Sequence, residues 1–369
     1  MTSSVRIAID GREAVSHGAG KGRYIREIIR ELSKLDHDND YVIYSKQPLE
    51  LELGANFESV IIGGTAGLRQ LWLARDAQRR GCKVLFSPTG YLTTVFSRIP
   101  VVQAVHDLAI FTTPEARPAL KTLISERFLL GYACNKARRI TAVSQSTKND
   151  LERLFGVPGS KISVDYLGYD HKPYHSQPAE GDEAVLKQHN LEKGQYLFYV
   201  GTIEPRKNLA RAITAYQALP SKMKQRFPFI VAGGLGWHYE AIVEAAANER
   251  QVRLVGRVAD AELPALYRNC RAFIFPSLYE GFGLPPLEAM ACGAAVLSSN
   301  VSSLPEVIGD GGLLVEPTDI TAISSAISRL LTDDTLVSSL GKKAAEQAVN
   351  FDWAKTANGV RQLLLEAAG

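Results

Sequence analysis

Short apolar runs alternate with longer segments of helical periodicity along the whole chain. The runs are continuous rather than alternating, which is typical of parallel strands covered on both faces. This pattern predicts strands at residues 5–9, 41–44, 59–62, 84–86, 101–105, 140–143, 162–166, 196–200, 229–232, 252–255, 272–275, 295–297 and 313–315. It predicts helices at residues 24–35, 68–80, 119–136, 147–154, 208–218, 239–247, 261–269, 287–292, 320–331, 335–349 and 352–367. The alternation of the two indicates an α/β protein.

A stretch rich in Gly, Pro, His and Ser at residues 168–181 interrupts this rhythm and predicts a linker. It separates an N-terminal domain at residues 1–175 from a C-terminal domain at residues 185–350, and 369 residues are enough for both. Two such domains would face a central cleft at the carboxyl ends of their strands. Spacing alone does not place the last helix, at residues 352–369.

Composition removes several classes of function. Apolar residues make up 46% of the chain and charged residues 22%, which is typical of a globular protein. A net charge of +3 gives no support for binding nucleic acid through broad electrostatics. The four cysteines form no C-x-x-C pair, so neither a zinc site nor a disulfide framework is indicated. With no signal-peptide core and no membrane-spanning run, we expect a cytoplasmic protein.

The most informative segment is EGFGLPPLE at residues 280–288, which follows a predicted strand and opens a helix. Its two glycines let the backbone come close to a ligand, and a helix start offers free N–H groups. Glu280 and Glu288 stand on either side and are suited to hold hydroxyl pairs, at about 1.5–3 kcal/mol per charged hydrogen bond. The same pattern also fits a tight turn with two solvated glutamates, and spacing does not choose between these interpretations.

A second segment, GTIEPRKN at residues 201–208, follows the strand at 196–200. Arg206 and Lys207 lie just before a predicted helix, where two cations and the helix dipole would bind a diphosphate. An exposed basic pair in a loop is the alternative.

Two further features lie in the N-terminal half. Gly20 and Gly22, within GAGKGRY at residues 18–24, would allow a ligand close to the backbone, but the order is not that of a P-loop. His106 and Asp107 end a predicted strand and could anchor a sugar hydroxyl or relay a proton. A histidine satisfied by a loop carbonyl is the alternative interpretation.

Residues 115–153 carry eight Lys or Arg against four Asp or Glu, with apolar residues between them. This pattern fits a basic amphipathic surface for an anionic membrane or a lipid-linked acceptor. A packed helix with a solvated face fits it as well.

Together these segments resemble glycosyltransferase family 4, a family of retaining enzymes with the GT-B fold, in which two Rossmann-like domains face a central cleft. The resemblance covers nearly the whole chain. It is carried by the E-x7-E motif at 280–288, by GTIEPRKN at 201–208, AVSQS at 142–146, GRV at 256–258 with residues 263–267, and PEV at 305–307.

The resemblance implies a donor site for a nucleotide diphosphate sugar. Its catalytic residues would be His106, near the donor sugar and the reaction centre, Lys207, and Glu280, on the donor sugar. Its donor-binding residues would be Gly20 and Gly22 over the phosphates, Arg206 and Lys207 on the diphosphate, Val258 near the base, Phe282, Gly283 and Leu284 through backbone amides, and Glu288 on the ribose. The final helix would cross back onto the N-terminal domain.

One departure affects the phosphate site: some relatives carry an Arg after the glycine that matches Gly201, and here that residue is Thr202. No Asp-x-Asp lies at a strand end, so we expect no metal and no cofactor, with Arg206 and Lys207 compensating the diphosphate charge.

The sequence GTIEPRKN is similar to the corresponding segment of mannosyl- and rhamnosyltransferases that build bacterial surface polysaccharides. It favours a GDP-hexose donor, mannose or a deoxyhexose, and a glycan or lipid-linked acceptor. A UDP- or dTDP-sugar donor, a sugar-nucleotide epimerase and a non-catalytic binding protein are the alternatives. A dehydrogenase is disfavoured because no G-x-G-x-x-G follows the first strand.

Overall fold

The structure, a computed structural model, describes residues 4–15, 20–65 and 67–369. Across these residues thirteen strands form two sheets, and the chain divides into two compact units. The first unit contains the described residues through Ile110, then Arg117–Gly168 and Phe351–Gly369. The second unit contains Phe111–Ala116 and Tyr169–Asn350.

The sheet of the first unit has seven parallel strands in the described ranges, in the order β3-β2-β1-β4-β5-β6-β7. The strands are β1 (Arg6–Asp10), β2 (Asp40–Ser45), β3 (Phe57–Ile61), β4 (Val84–Ser87), β5 (Val101–Val105), β6 (Arg139–Ala142) and β7 (Ile162–Val164). The helices along this part of the chain are α1 (Gly20–Leu35), α2 (Leu68–Arg79), α3 (Leu92–Phe96), α4 (Ala109–Thr112), α5 (Leu120–Lys136) and α6 (Gln145–Phe155). Strand order reverses between β1 and β4, which opens a crevice at their carboxyl ends.

The sheet of the second unit is also parallel, in the order β10-β9-β8-β11-β12-β13. Its strands are β8 (Leu197–Val200), β9 (Phe229–Ala232), β10 (Val252–Gly256), β11 (Ala272–Phe275), β12 (Val296–Ser299) and β13 (Gly312–Val315). Its helices are α7 (Asp182–Gln188), α8 (Leu209–Gln217), α9 (Ser221–Arg226), α10 (Glu240–Ala247), α11 (Leu263–Asn269), α12 (Leu284–Ala291), α13 (Leu304–Ile308), α14 (Ile320–Thr332) and α15 (Asp334–Ala348). Here the order reverses between β8 and β11.

The last helix, α16 (Trp353–Ala368), belongs to the first unit and packs on α1. It begins where the Asp352 carboxylate accepts a hydrogen bond from the Ala354 N–H at 2.6 Å. Its buried face includes Trp353 and Val360, and Arg361 Nε donates to Asp36 Oδ2 at 2.7 Å. Burial and an ion pair thus hold the C-terminal helix to the first sheet.

Each predicted strand and helix occurs, with end shifts of a few residues. The start predicted for the first helix, residue 24, is wrong because α1 already begins at Gly20. Five short helices, α3, α4, α7, α9 and α13, were not predicted. Each spans at most two turns, which is too short for a periodic pattern to show in the sequence.

Candidate active site

The two most informative sequence segments meet where the strand order of the second sheet reverses. The loop after β8 carries Arg206 and Lys207, and the loop after the neighbouring strand β11 carries Glu280. Lys207 Nζ donates to Glu280 Oε1 at 2.6 Å, and Arg206 Nη1 donates to Glu280 Oε2 at 3.1 Å. The fold therefore brings both cations onto one carboxylate.

The turn that carries the two cations is fixed by Asn208. Pro205–Lys207 forms one 3-10 turn, and Asn208 follows with a φ of +61°, a conformation that asparagine tolerates better than most residues. Its side-chain amide donates to Pro276 O at 2.8 Å and to Pro317 O at 2.7 Å. These bonds hold the turn against the segment that leads to Glu280.

Glu280 is a buried, charged carboxylate, with a side chain 10% exposed. Burial favours its neutral form, but the charges of Lys207 and then Arg206 outweigh burial and hold the pKa of Glu280 below its usual value. Since both glutamates of the motif are buried, the interpretation as a turn with two solvated glutamates is wrong.

Two serines that the sequence analysis missed fix the backbone around Glu280. The Glu280 N–H donates to Ser302 Oγ at 3.0 Å. The Ser303 hydroxyl donates to the carbonyl oxygens of Glu280 and Phe282, each at 2.9 Å. Both serines come after β12, and no motif links them to residues 280–288.

The glycine turn leads directly into α12, which begins at Leu284. Gly283 has a φ of +110°, and a Cβ there would lie 3.0 Å from Leu304 Cδ2, so both backbone conformation and space favour glycine. Pro285 and Pro286 have no N–H, which leaves the N–H groups of Gly283 and Leu284 as the donors at this helix start. Phe282 is buried beside them.

Glu288 lies in the second turn of α12 and is buried. The Tyr267 hydroxyl donates to Glu288 Oε2 at 3.3 Å. Burial and the Glu288 charge raise the pKa of Tyr267, so this phenol stays protonated and can donate. Tyr267, on α11, was not predicted as a site residue.

The carboxyl ends of β8, β9 and β10 form a narrow backbone surface. The Gly201 N–H donates to Ala232 O at 3.0 Å, and the Gly233 N–H donates to Gly256 O at 2.7 Å. Gly233 has a φ of +150°, and a Cβ there would collide with the carbonyl oxygen of Gly201. Val258 is half-buried and lies two residues after β10, at this same edge.

Glu204 and Trp237 extend the network around Arg206 and were also missed. Arg206 Nη2 donates to Glu204 Oε1 at 2.8 Å, and the Trp237 indole N–H donates to Glu204 Oε2 at 3.0 Å. Arg206 therefore lies between two carboxylates, whereas Lys207 has one.

His106 lies at the carboxyl end of β5 in the first unit. Its Nε2 is 2.7 Å from Pro88 O, and because a carbonyl only accepts, Nε2 carries the proton and Nδ1 is the basic nitrogen. Burial and the charge of Lys21 lower the pKa of His106 to about 4, so the ring is neutral at pH 7. The loop carbonyl that the alternative interpretation required is present, but it occupies only one of the two ring nitrogens.

The glycine loop predicted before the first helix is wrong for Gly20 and Gly22. Both lie in the first turn of α1, Gly20 exposed and Gly22 buried, because the helix begins four residues earlier than its apolar spacing indicates. Gly18, which opens the motif, lies outside the described residues.

A metal site and a membrane-spanning helix are both absent from the parts of the chain that the structure describes. No group of three or more His, Cys, Asp or Glu residues there is arranged to hold a metal ion. Among the described helices, none combines the length and the apolar character that crossing a bilayer requires.

Comparison with known proteins decides the family. The model for Glycosyltransferase Family 4 matches residues 18–172, and the model for Glycosyl transferases group 1 matches residues 182–347. O-antigen chain mannosyltransferase B of Escherichia coli is 38% identical over 288 residues, which is 77% of this chain and 74% of that protein. The chain belongs to glycosyltransferase family 4.

A second mannosyltransferase and two solved structures are also similar to this chain. Serotype-specific mannosyltransferase WbdA of Escherichia coli is 35% identical over 235 residues, which is 60% of this chain but 28% of that longer protein. Among solved structures, sucrose-phosphate synthase from Thermosynechococcus elongatus matches with a TM-score of 0.79 at 19% identity, covering 98% of both chains. HepE of Anabaena in complex with UDP-glucose matches with a TM-score of 0.77 at 17% identity, covering 98% of this chain and 99% of that one. The glycosyltransferase has the GT-B fold, as the resemblance implied.

Proposed function

We propose that this glycosyltransferase transfers mannose, or a deoxyhexose such as rhamnose, from a GDP-sugar to a glycan or lipid-linked acceptor in surface polysaccharide synthesis. The observation that carries the proposal is the convergence of Lys207, Arg206 and Glu280 at the switch point of the second sheet. The mannosyltransferase names of the relatives at 35–38% identity support mannose as the sugar.

In this proposal the donor lies along the carboxyl ends of β8–β11. Arg206 and Lys207 hold the diphosphate together with the Gly283 and Leu284 N–H groups, Glu280 contacts the sugar and Glu288 holds the ribose hydroxyls. A charged hydrogen bond contributes about 1.5–3 kcal/mol, so two cations and two amides are enough to fix a diphosphate. The base would lie near Val258, beside the glycines at the carboxyl ends of β8, β9 and β10.

The proposed reaction retains the anomeric configuration. The bond from the anomeric carbon to the diphosphate oxygen breaks as the acceptor oxygen bonds on the same face, and the acceptor proton passes to the leaving diphosphate. Arg206 and Lys207 stabilise the charge that develops on that diphosphate. Neutral His106, with Nδ1 as its accepting nitrogen, orients a donor-sugar hydroxyl. Proton NMR of the product tests this, since an anomer opposite to the donor's contradicts retention.

We also propose that no metal or cofactor takes part. The two cations would supply the compensation that a metal gives elsewhere. Activity that falls in EDTA and returns with magnesium contradicts this proposal.

The donor is identified by thermal shift with GDP-mannose, a GDP-deoxyhexose, UDP-glucose and dTDP-rhamnose. We expect one GDP-sugar to raise the Tm of the wild type and to lose its effect in Glu288→Ala. Glu346→Ala, an exposed residue of the same unit, is the matched control and keeps the shift. A shift with UDP- or dTDP-sugars alone replaces the donor, whereas conversion of a donor without any acceptor favours an epimerase.

A cytoplasmic location with peripheral membrane contact completes the proposal. On α5 four large apolar side chains lie four residues apart and therefore on one face, each at least 49% exposed: Leu120, Ile124, Phe128 and Tyr132. Lys121 and Arg127 flank them, a combination that suits an anionic bilayer.

Sedimentation with phosphatidylglycerol-containing vesicles tests the membrane contact. Ile124→Ser with Phe128→Ser should abolish co-sedimentation, whereas Leu68→Ser, which removes a side chain 67% exposed on α2, should not. Equal binding of both variants contradicts the assignment of this surface.

A further inference from the structure

We propose that Tyr24, backed by Trp353, is the positioning residue for His106. The proposal rests on the role of His106 in the proposed function. Tyr24 lies on the buried face of α1. Trp353 is the first residue of the C-terminal helix α16.

The aromatic ring of Tyr24 packs against the imidazole ring of His106. The ring centroids of Tyr24 and His106 are 4.7 Å apart at an interplanar angle of 85°, an edge-to-face contact. Tyr24 is fully buried, and its ring also packs near Phe86, with centroids 6.5 Å apart. An edge-to-face contact places the positive edge of one ring on the negative face of the other, which favours one ring orientation.

Trp353, on α16, packs against Tyr24. Its ring centroid is 6.2 Å from that of Tyr24, at 63°, and its side chain is buried. Tyr24 therefore packs between the histidine and the first residue of α16. The return of the C-terminal helix to the first unit thus reaches the proposed reaction centre through two side chains.

The His106 ring has two fixed contacts, which together leave one nitrogen for chemistry. The Nε2–H group donates a hydrogen bond to Pro88 O, and the Tyr24 ring limits rotation about that bond. The charged groups that act on the ring are Lys21, which favours its neutral form, and Asp107, which opposes it. Tyr24 stays uncharged because burial and Asp165 raise its pKa.

The test compares Tyr24→Leu, which removes the aromatic ring next to His106, with Tyr24→Phe, which keeps it. We expect Tyr24→Leu to lower kcat about tenfold with donor KM nearly unchanged, because the misplaced ring no longer meets the sugar. Its His106 pKa should rise from about 4 towards the ordinary histidine value as water enters, as followed by NMR of ring nitrogens. Tyr24→Phe should restore wild-type kcat and pKa.

Tyr44→Leu is the matched control, since Tyr44 is as buried as Tyr24 and lies on β2 of the same unit. It should lower the Tm without changing the His106 titration. If Tyr24→Leu does not fold, Trp353→Leu replaces it and should shift the same titration by a smaller amount.

If Tyr24→Leu folds and its His106 pKa is unchanged, the proposal is overturned. A kcat of Tyr24→Phe as low as that of Tyr24→Leu overturns it as well. Wild-type kcat in His106→Gln would instead overturn the role of His106 in the proposed function. The NMR titration still decides whether Tyr24 positions the ring.

Discussion

The bond between Lys207 and Glu280 involves the ammonium group that, in the proposed function, holds the donor diphosphate. Lys207 Nζ donates to Glu280 Oε1 at 2.6 Å, and both side chains are about nine-tenths buried, so salt screens the pair weakly. In the proposed function a diphosphate on Lys207 shares this ammonium with the Glu280 carboxylate, whose negative charge opposes its binding. We therefore expect Glu280→Gln to bind the bare nucleoside diphosphate more tightly than the wild type while transferring sugar more slowly.

The size of the effect follows from the charge on the acceptor. A hydrogen bond between two charged groups contributes up to about 3 kcal/mol, and roughly half of that remains when the carboxylate becomes a neutral amide, because the ammonium keeps its charge. Replacing the carboxylate by an amide therefore releases about 1.4 kcal/mol for the diphosphate, which is a tenfold lower Kd. Lys207→Met should have the opposite sign, because it removes the cation itself.

Isothermal titration with GDP, without metal, measures both variants against the wild type. Glu204→Gln is the matched control, since the Glu204 carboxylate accepts from Arg206 whereas the Lys207 ammonium donates to Glu280, and we expect its Kd to change less than the tenfold of Glu280→Gln. The reasoning is refuted if Glu280→Gln weakens GDP binding as Lys207→Met does. That result would mean that the carboxylate holds Lys207 in its binding position instead of competing for it.

Three further predictions concern stability and the nucleoside site. Hydrogen bonds from Asn39, Tyr41 and Arg361 outweigh burial and lower the pKa of Asp36 to about 2. A carboxyl whose pKa is lower in the folded than in the unfolded protein stabilises the fold at any pH above its unfolded pKa. At pH 7 we therefore expect the free energy of unfolding, measured by thermal unfolding, to be about 2 kcal/mol larger for the wild type than for Asp36→Asn. This difference should shrink as the pH falls from 4 to 2. Gly233→Ala should lower the Tm by several degrees, because its Cβ would collide with a backbone carbonyl; an unchanged Tm contradicts that close approach. Glu288→Gln should weaken binding of GDP but not of inorganic pyrophosphate in competition titrations, since pyrophosphate has no ribose; equal loss of both would place Glu288 on the phosphates.

The sequence by itself determined the elements and the motifs. Continuous apolar runs gave the thirteen strands, because a strand covered on both faces needs apolar side chains on both, and that is a local property. The E-x7-E segment and the Arg-Lys pair were likewise readable, since each lies within a few residues of a strand end. Helix starts were less readable, as α1 shows, because glycines in a first turn look like a loop.

Only the tertiary structure decided which of these residues meet. Lys207 and Glu280 are 73 positions apart and become partners because β8 and β11 are neighbours in the sheet. Tyr267 was not predicted as a site residue, and Ser302 and Ser303 belong to no motif, yet the fold places all three against the motif at residues 280–288. The burial of Glu280 and its contacts with two cations depend on packing summed over the whole unit, and local spacing does not encode them.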